Sequence, residues 1–166
     1  MVQDIVRGKG YLTLGSRLRR IGERLQAETQ QLMEAHDVPV QAHQYPLLCA
    51  LDDGGPLSIG DLTEALGVSQ PGVTRNVGLL ARRGMVTVRR GATDQRVTEV
   101  ALSPAGRAVV DHGRTVVWPQ VEACVAAILD GHSGPLLDQL DHLEDALDRA
   151  SLAQRLAPPG GDRRHG

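Results

Sequence analysis

The chain has 166 residues, 41% of them apolar and 23% charged, with a formal net charge of −2. That length suits one domain with appended helices, long enough to bury a core without disulfides or a metal. Phe is absent and aromatics make up 2%, which makes the core aliphatic and excludes aromatic stacking on single-stranded nucleic acid or sugar as a main binding mode.

Charge is distributed unevenly. Between Gly55 and Ala105, six arginines (Arg75, Arg82, Arg83, Arg89, Arg90 and Arg96) face four acids (Asp61, Glu64, Asp94 and Glu99). This basic middle within an acidic frame points to one anion-binding face. Cys49 and Cys124 lie far apart without a CxxC partner, as expected of two thiols in a reducing cytoplasm rather than a redox pair. No run approaches the ~18 apolar residues of a membrane span. The start of the chain lacks the apolar region of a signal peptide. A cytoplasmic protein is expected.

In chain order, Leu14, Leu18, Ile21, Leu25 and Leu32 recur at helical spacing and predict an amphipathic helix from about Tyr11 to His36. Pro39 ends it. "QAHQYPLLCALDD" predicts a second helix, stopped by Gly54, Gly55 and Pro56. Ser58 then caps a short helix with Ile59, Leu62 and Leu66 on one face, and Asp61 supplies the reciprocal acid of a capping box. Gly67 stops it. Ser69 is expected to cap "SQPGVTRNVGLLARRG", whose first turn tolerates Pro71 because amides there have no intrahelical partner.

"MVTVRR" and "RVTEVAL" are β-branched and alternating, which predicts a hairpin joined by the loop within "RRGATDQR". Ser103 caps the next helix, with Pro104 at its first position. Pro119 is expected to kink or split that helix. Leu136, Leu140, Leu143 and Leu147 then form a coiled-coil-like seam, and 157–166 reads as a disordered tail.

Two short helices with a tight turn, followed by a hairpin, make a winged helix-turn-helix, whose second helix enters the major groove. Ser69, Gln70, Thr74 and Arg75 lie opposite Val73, Val77 and Leu80. Gln pairs with adenine and Arg with guanine through forked hydrogen bonds, and Ser and Thr hold phosphates. Arg89, Arg90 and Arg96 supply positive charge to the wing, where arginine suits a narrow minor groove. Asp94, two residues from Arg96, holds that guanidinium ready for use.

Through "LTEALGVSQPGVTRNVGLLARRGMVTVRRGATDQRVTEVALSPAGRAVV" the sequence resembles the MarR family of bacterial transcriptional regulators. The shared features are Leu62 and Leu66; Ser69, Thr74 and Arg75; Gly84, Met85 and Val86; the wing signature Asp94 and Arg96; and Leu102, Ser103 and Gly106. Departures are Gln95 where the family often has arginine, Gly72 and Gly78 within the recognition helix, and no cysteine near the start of the first helix.

The resemblance implies a mainly α fold with a small β-hairpin wing. It implies a dimerisation helix over 1–40, a winged helix-turn-helix over 41–103 and C-terminal dimerisation helices over 104–156. It further implies a homodimeric, non-enzymatic repressor of neighbouring genes or its own, bound to a pseudo-palindromic double-stranded operator and released by a small phenolic or carboxylate effector. The alternatives are a winged-helix protein-interaction module and a regulator without a small ligand. No cofactor and no metal site is expected, although His36, Asp37 and His43 fall near one junction. Arg17, Arg20, His43 and Tyr45 are the candidate effector-binding residues. If Asp94 organises the wing, Asp94→Ala makes the loop more positive yet weakens operator binding in a mobility-shift titration. Uniformly tighter binding across sequences would instead make Asp94 a charge brake.

Overall fold

A computed structural model describes residues 4–90, 98–129 and 134–149. The chain opens with one helical turn, α1 (Ile5–Gly8), and a 3-10 turn over Gly10–Thr13. Helix α2 (Leu14–Ala35) follows, three residues later in its start than the apolar spacing suggests. Its C-terminus closes before Pro39 is reached. Asp37 takes a left-handed φ of 56°, and the Val38 amide donates to the Met33 carbonyl at 2.9 Å. That closure normally uses glycine, but Asp tolerates the left-handed region better than most residues.

Helix α3 (Tyr45–Gly54) carries Pro46 in its first turn, where no amide is missed. Helix α4 (Ile59–Leu66) begins with the expected capping box. The Asp61 amide donates to Ser58 Oγ at 3.0 Å, and the Ser58 amide donates to Asp61 Oδ2 at 2.9 Å. These bonds hold the Asp61 carboxyl below its ordinary value, with the Ser58 hydrogen bond the largest cause. Gly67 ends α4 at φ 61°, a left-handed conformation that lets the chain reverse within three residues into α5 (Gln70–Arg82).

The wing strands β2 (Val86–Arg90) and β3 (Thr98–Leu102) pair antiparallel, with Val86 opposite Leu102 and Arg90 opposite Thr98. A further strand, β1 (Leu57–Ser58), pairs with the other edge of β3 and gives the order β1-β3-β2. Two residues are too few to display alternation, so β1 leaves no signature in the sequence. The tip of the wing, including Asp94 and Arg96, lies outside the described residues.

Helix α6 (Pro104–His112) runs into a π-helical turn over Gly113–Val117 and then α7 (Trp118–Leu129). This is how the chain accommodates Pro119. The proline lacks an N–H for the carbonyl four residues back and crowds it, and widening the preceding turn relieves that clash. Helix α8 (Leu136–Arg149) lies in a separate compact unit that begins at Ile128.

The core of the first unit is aliphatic, as the composition requires. Met33, Val40, Leu48, Leu51, Leu62, Val73, Leu80, Val100, Val110 and Val117 are each 0–1% exposed. Helices α3 to α6 and the sheet all contribute to one cluster.

The start of α6 is fastened to the turn between α5 and β2. Ser103 Oγ accepts from the Gly106 amide at 3.0 Å and donates to the Gly84 carbonyl at 2.6 Å, and the Ser103 amide donates to the Met85 carbonyl at 3.0 Å. Gly106 rests against that same carbonyl, so a Cβ there would come within 2.0 Å of Met85 O. The obstacle is backbone and cannot swing aside. Gly106→Ala should therefore cost at least the ~1–3 kcal/mol typical of overpacking, seen as a lower urea midpoint. An unchanged midpoint would mean that α6 does not need this close approach.

Candidate nucleic-acid interface

Helix α5 sorts its residues by face. Val73, Val77 and Leu80 are buried, while Ser69, Gln70, Thr74 and Arg75 are exposed together at its N-terminal end. Ser69 holds the N-cap position in extended geometry, but its side chain makes no capping bond, contrary to expectation. The first-turn amides and the Ser69 hydroxyl are thus both turned to the exterior, where the positive end of the helix dipole favours an anion. Gly72 sits under Ser69, with room for a Cβ only at 3.3 Å from its hydroxyl.

Arg89 and Arg90 are exposed at the end of β2. They do not form one patch. Strand alternation puts them on opposite faces of the wing. Arg89 is paired in register with Glu99, and the two line one shallow depression with Thr87 and Ala101. Arg90 falls on the face of Val86 and Val88. The acid offsets one arginine and leaves the other, a distinction invisible until the register is known.

The four candidate effector residues are not brought together. Arg17 and Arg20 line a depression between α1 and α2. His43 lines a separate cleft of about 440 Å3 with Gln41, Gln44, Arg75, Asn76 and Arg83. Tyr45 lines neither: it is 8% exposed, donates to the Val110 carbonyl at 3.2 Å and packs its ring 3.8 Å from that of Trp118. Burial raises its hydroxyl above the ordinary phenol value. It is a core residue, because α3 presents it to the π-helical turn. Gly113 leaves the space: a Cβ there would lie 2.6 Å from Trp118 Nε1 and 2.8 Å from the Tyr45 hydroxyl. The sequence reading missed Asn76 and Arg83, which only the approach of the 41–44 turn to α5 places beside His43.

His36 meets neither Asp37 nor His43 in a ligand cluster. Its ring stands edge-on to His112 at 6.5 Å, and its Nε2 lies 3.1 Å from Gln120 Nε2. Among the described residues no group of His, Cys, Asp or Glu is arranged to hold a metal. Cys49 is half-buried, and burial pushes its thiol up. That disfavours the reactive thiolate. No helix among the described residues is long and apolar enough to cross a membrane. An unanticipated fork joins α3 to the helices beyond the wing: Asp52 accepts from Arg107 Nη1 at 2.9 Å and from Arg114 Nη2 at 2.6 Å.

Comparison with known proteins agrees with this geometry. A family model described as the MarR family matches residues 36–97, the span from the end of α2 through the wing. The chain is 34% identical over 98 residues to the HTH-type transcriptional repressor NicR of Pseudomonas putida, an alignment covering 59% of this chain and 61% of NicR. Among solved structures, BpsR of Bordetella bronchiseptica, whose DNA binding is regulated by 6-hydroxynicotinic acid, is 28% identical with a TM-score of 0.63, covering 82% of this chain and 93% of BpsR. A mutant of Escherichia coli MarR complexed with operator DNA is 18% identical with a TM-score of 0.68, covering 89% and 98%.

The buried position of Tyr45 carries a consequence. Tyr45→Phe should cost about 1 kcal/mol for the lost hydrogen bond, measured by urea denaturation, while leaving any effector response of the folded protein intact. Unchanged stability with a lost response would return Tyr45 to the ligand site.

Proposed function

The chain belongs to the MarR family, and from that premise we propose that it is a homodimeric repressor that binds a pseudo-palindromic operator and releases it when a small aromatic carboxylate binds. The observation that carries the reading is the sorted face of α5. Four hydrogen-bonding residues and a row of open amides stand at one helix end, over a buried valine and leucine face. Arg75 reads a base edge, Ser69 and Thr74 hold phosphates, and Gln70 reads or positions. Arg90 and the wing residues Asp94 and Arg96 supply the second contact, with Arg89 partly offset by Glu99.

Dimerisation is supported by apolar side chains that the monomer leaves in water. On α2, Leu18, Ile21 and Leu25 are 36%, 45% and 39% exposed and recur along one stripe. Described by itself, α8 carries Leu136, Leu140 and Leu143 at seam spacing. Unpartnered stripes of this kind normally mark an interface.

The effector site that fits best is the cleft of His43 and Arg75. Its lining is polar and cationic, and its volume of about 440 Å3 is that of a small-molecule pocket. An aromatic carboxylate of the hydroxynicotinate type, like the ligand that regulates BpsR, would pair there with Arg75 and His43. Arg75 would then be withdrawn from DNA, so ligand and operator compete for one guanidinium.

Fluorescence anisotropy with a duplex from the protein's own upstream region tests this. Arg75→Ala should weaken specific binding by about 1–3 kcal/mol. His43→Ala should leave operator affinity near wild type but raise the 6-hydroxynicotinate concentration needed for release at least tenfold. Release unaffected by His43→Ala would place the effector elsewhere. Failure of Arg75→Ala to weaken binding would remove α5 as the reader and favour a protein-docking role for the winged helix.

A further inference from the structure

The depression that holds Arg17 and Arg20 is remote from the cleft of His43, and its lining has its own chemistry. Asp4 and Arg7, flanking and within α1, close it from one side. Arg17, Arg20, Ile21 and Arg24 of α2 form the other side, enclosing about 450 Å3. Four guanidinium groups therefore share a small space with one carboxylate.

The ion pairs of the region distribute that charge unequally. Arg20 is held by Asp4 at 3.0 Å, and Arg24 by Glu28 at 2.8 Å, one helical turn on. Even Arg19, outside the depression, is matched by Glu23 at 2.8 Å. Arg7 and Arg17 have no carboxylate partner among the described residues, and both line the depression. Ile21 occupies the place one turn after Arg17 where a glutamate would complete the pattern.

The short helix is fastened where it must be for this arrangement. Asp4 Oδ1 accepts from the Arg7 amide at 3.0 Å and from Arg20 Nη1 at 3.1 Å, and Thr13 Oγ1 donates to the Val6 carbonyl at 2.6 Å. The Arg20 bond is the main cause holding the Asp4 carboxyl below its ordinary value. Asp4 thus stays ionised and keeps Arg7 on the same side as Arg17. A local acid organises the cluster without neutralising it.

We propose that this depression between α1 and α2 is an anion site that takes a diphosphate group, clamped between Arg7 and Arg17 with Arg20 and Arg24 on its rim. A single carboxylate would answer only one of the two unpaired guanidinium groups. A diphosphate places acceptor oxygens on two adjacent centres, which suits forked donors arriving from two elements. The shared chemistry is that of inorganic pyrophosphate and of a nucleoside diphosphate, and Ile21 offers the only apolar wall against which a base or sugar could rest.

Isothermal titration calorimetry on the full chain, without DNA, tests the site independently of any operator or effector. Sodium pyrophosphate should bind saturably with one site per chain. The Arg7→Gln, Arg17→Gln double variant should lose at least tenfold in affinity. Both side chains are exposed, and a thermal melt matching wild type would show that the fold is intact. Arg17→Lys, which keeps the charge but not the fork, should fall between the two. Arg149→Gln, on α8, should bind like wild type. Tighter binding of ADP than of pyrophosphate assigns a nucleotide; equal or weaker binding assigns the free anion. No saturable binding, binding retained by the double variant, or equal affinity for citrate would overturn the proposal.

Discussion

One serine side chain and one missing side chain hold the DNA-binding unit in register. Ser103 ties the start of α6 to the two carbonyls that leave α5, and Gly106 allows α6 to press directly on Met85. The end of the recognition helix, the first residue of the wing and the first turn of the next helix therefore meet within a few ångströms. A hydroxyl that both donates and accepts is needed there, because two carbonyls and one helix-terminal amide would otherwise be left without partners. The Leu-Ser-x-x-Gly signature is this junction in sequence form.

The polar face of α5 depends on that junction. Its inner side is fixed by Val73, Val77 and Leu80 in a core without phenylalanine, so the outer side has one orientation relative to the wing. The Asp52 fork extends the same frame from α3 to Arg107 and Arg114 beyond the wing. A carboxylate that is nearly buried and doubly bonded is a stiff link, and a change in the later helices has a direct route to α3. In two places an acid organises arginines instead of cancelling them: Asp4 beneath Arg20 and Arg7, and Asp52 between Arg107 and Arg114. The reading of Asp94 in the wing follows the same logic.

Helix existence was legible because it depends on local periodicity and caps. Ser58 with Asp61, Ser103 with Pro104, and Gly67 all act where their residue types predict. What could not be read were features set by long-range approach. Strand β1 is two residues long and exists only because β3 passes beside it. Tyr45 looks like a polar pocket residue until α3 turns it toward Gly113 and Trp118. Arg89 and Arg90 are neighbours in sequence, but strand pairing puts one beside Glu99 and the other on the far face. His43 and Arg75, distant in sequence, share a cleft. Ser69 has the right type and backbone for a cap yet makes no capping bond, and local rules tend to yield to function in just this way at a binding surface.

The salt dependence of binding to a duplex from the protein's own upstream region tests the central claim most directly. Phosphate contacts release counterions, so log affinity should fall linearly with log salt, by roughly 0.9 for each phosphate neutralised. A dimer using the first turns of two α5 helices and two wings should show a slope of several units. The same slope should be absent for the acidic frame alone. A flat salt response, or no binding at low salt, would contradict a DNA-binding role for this face.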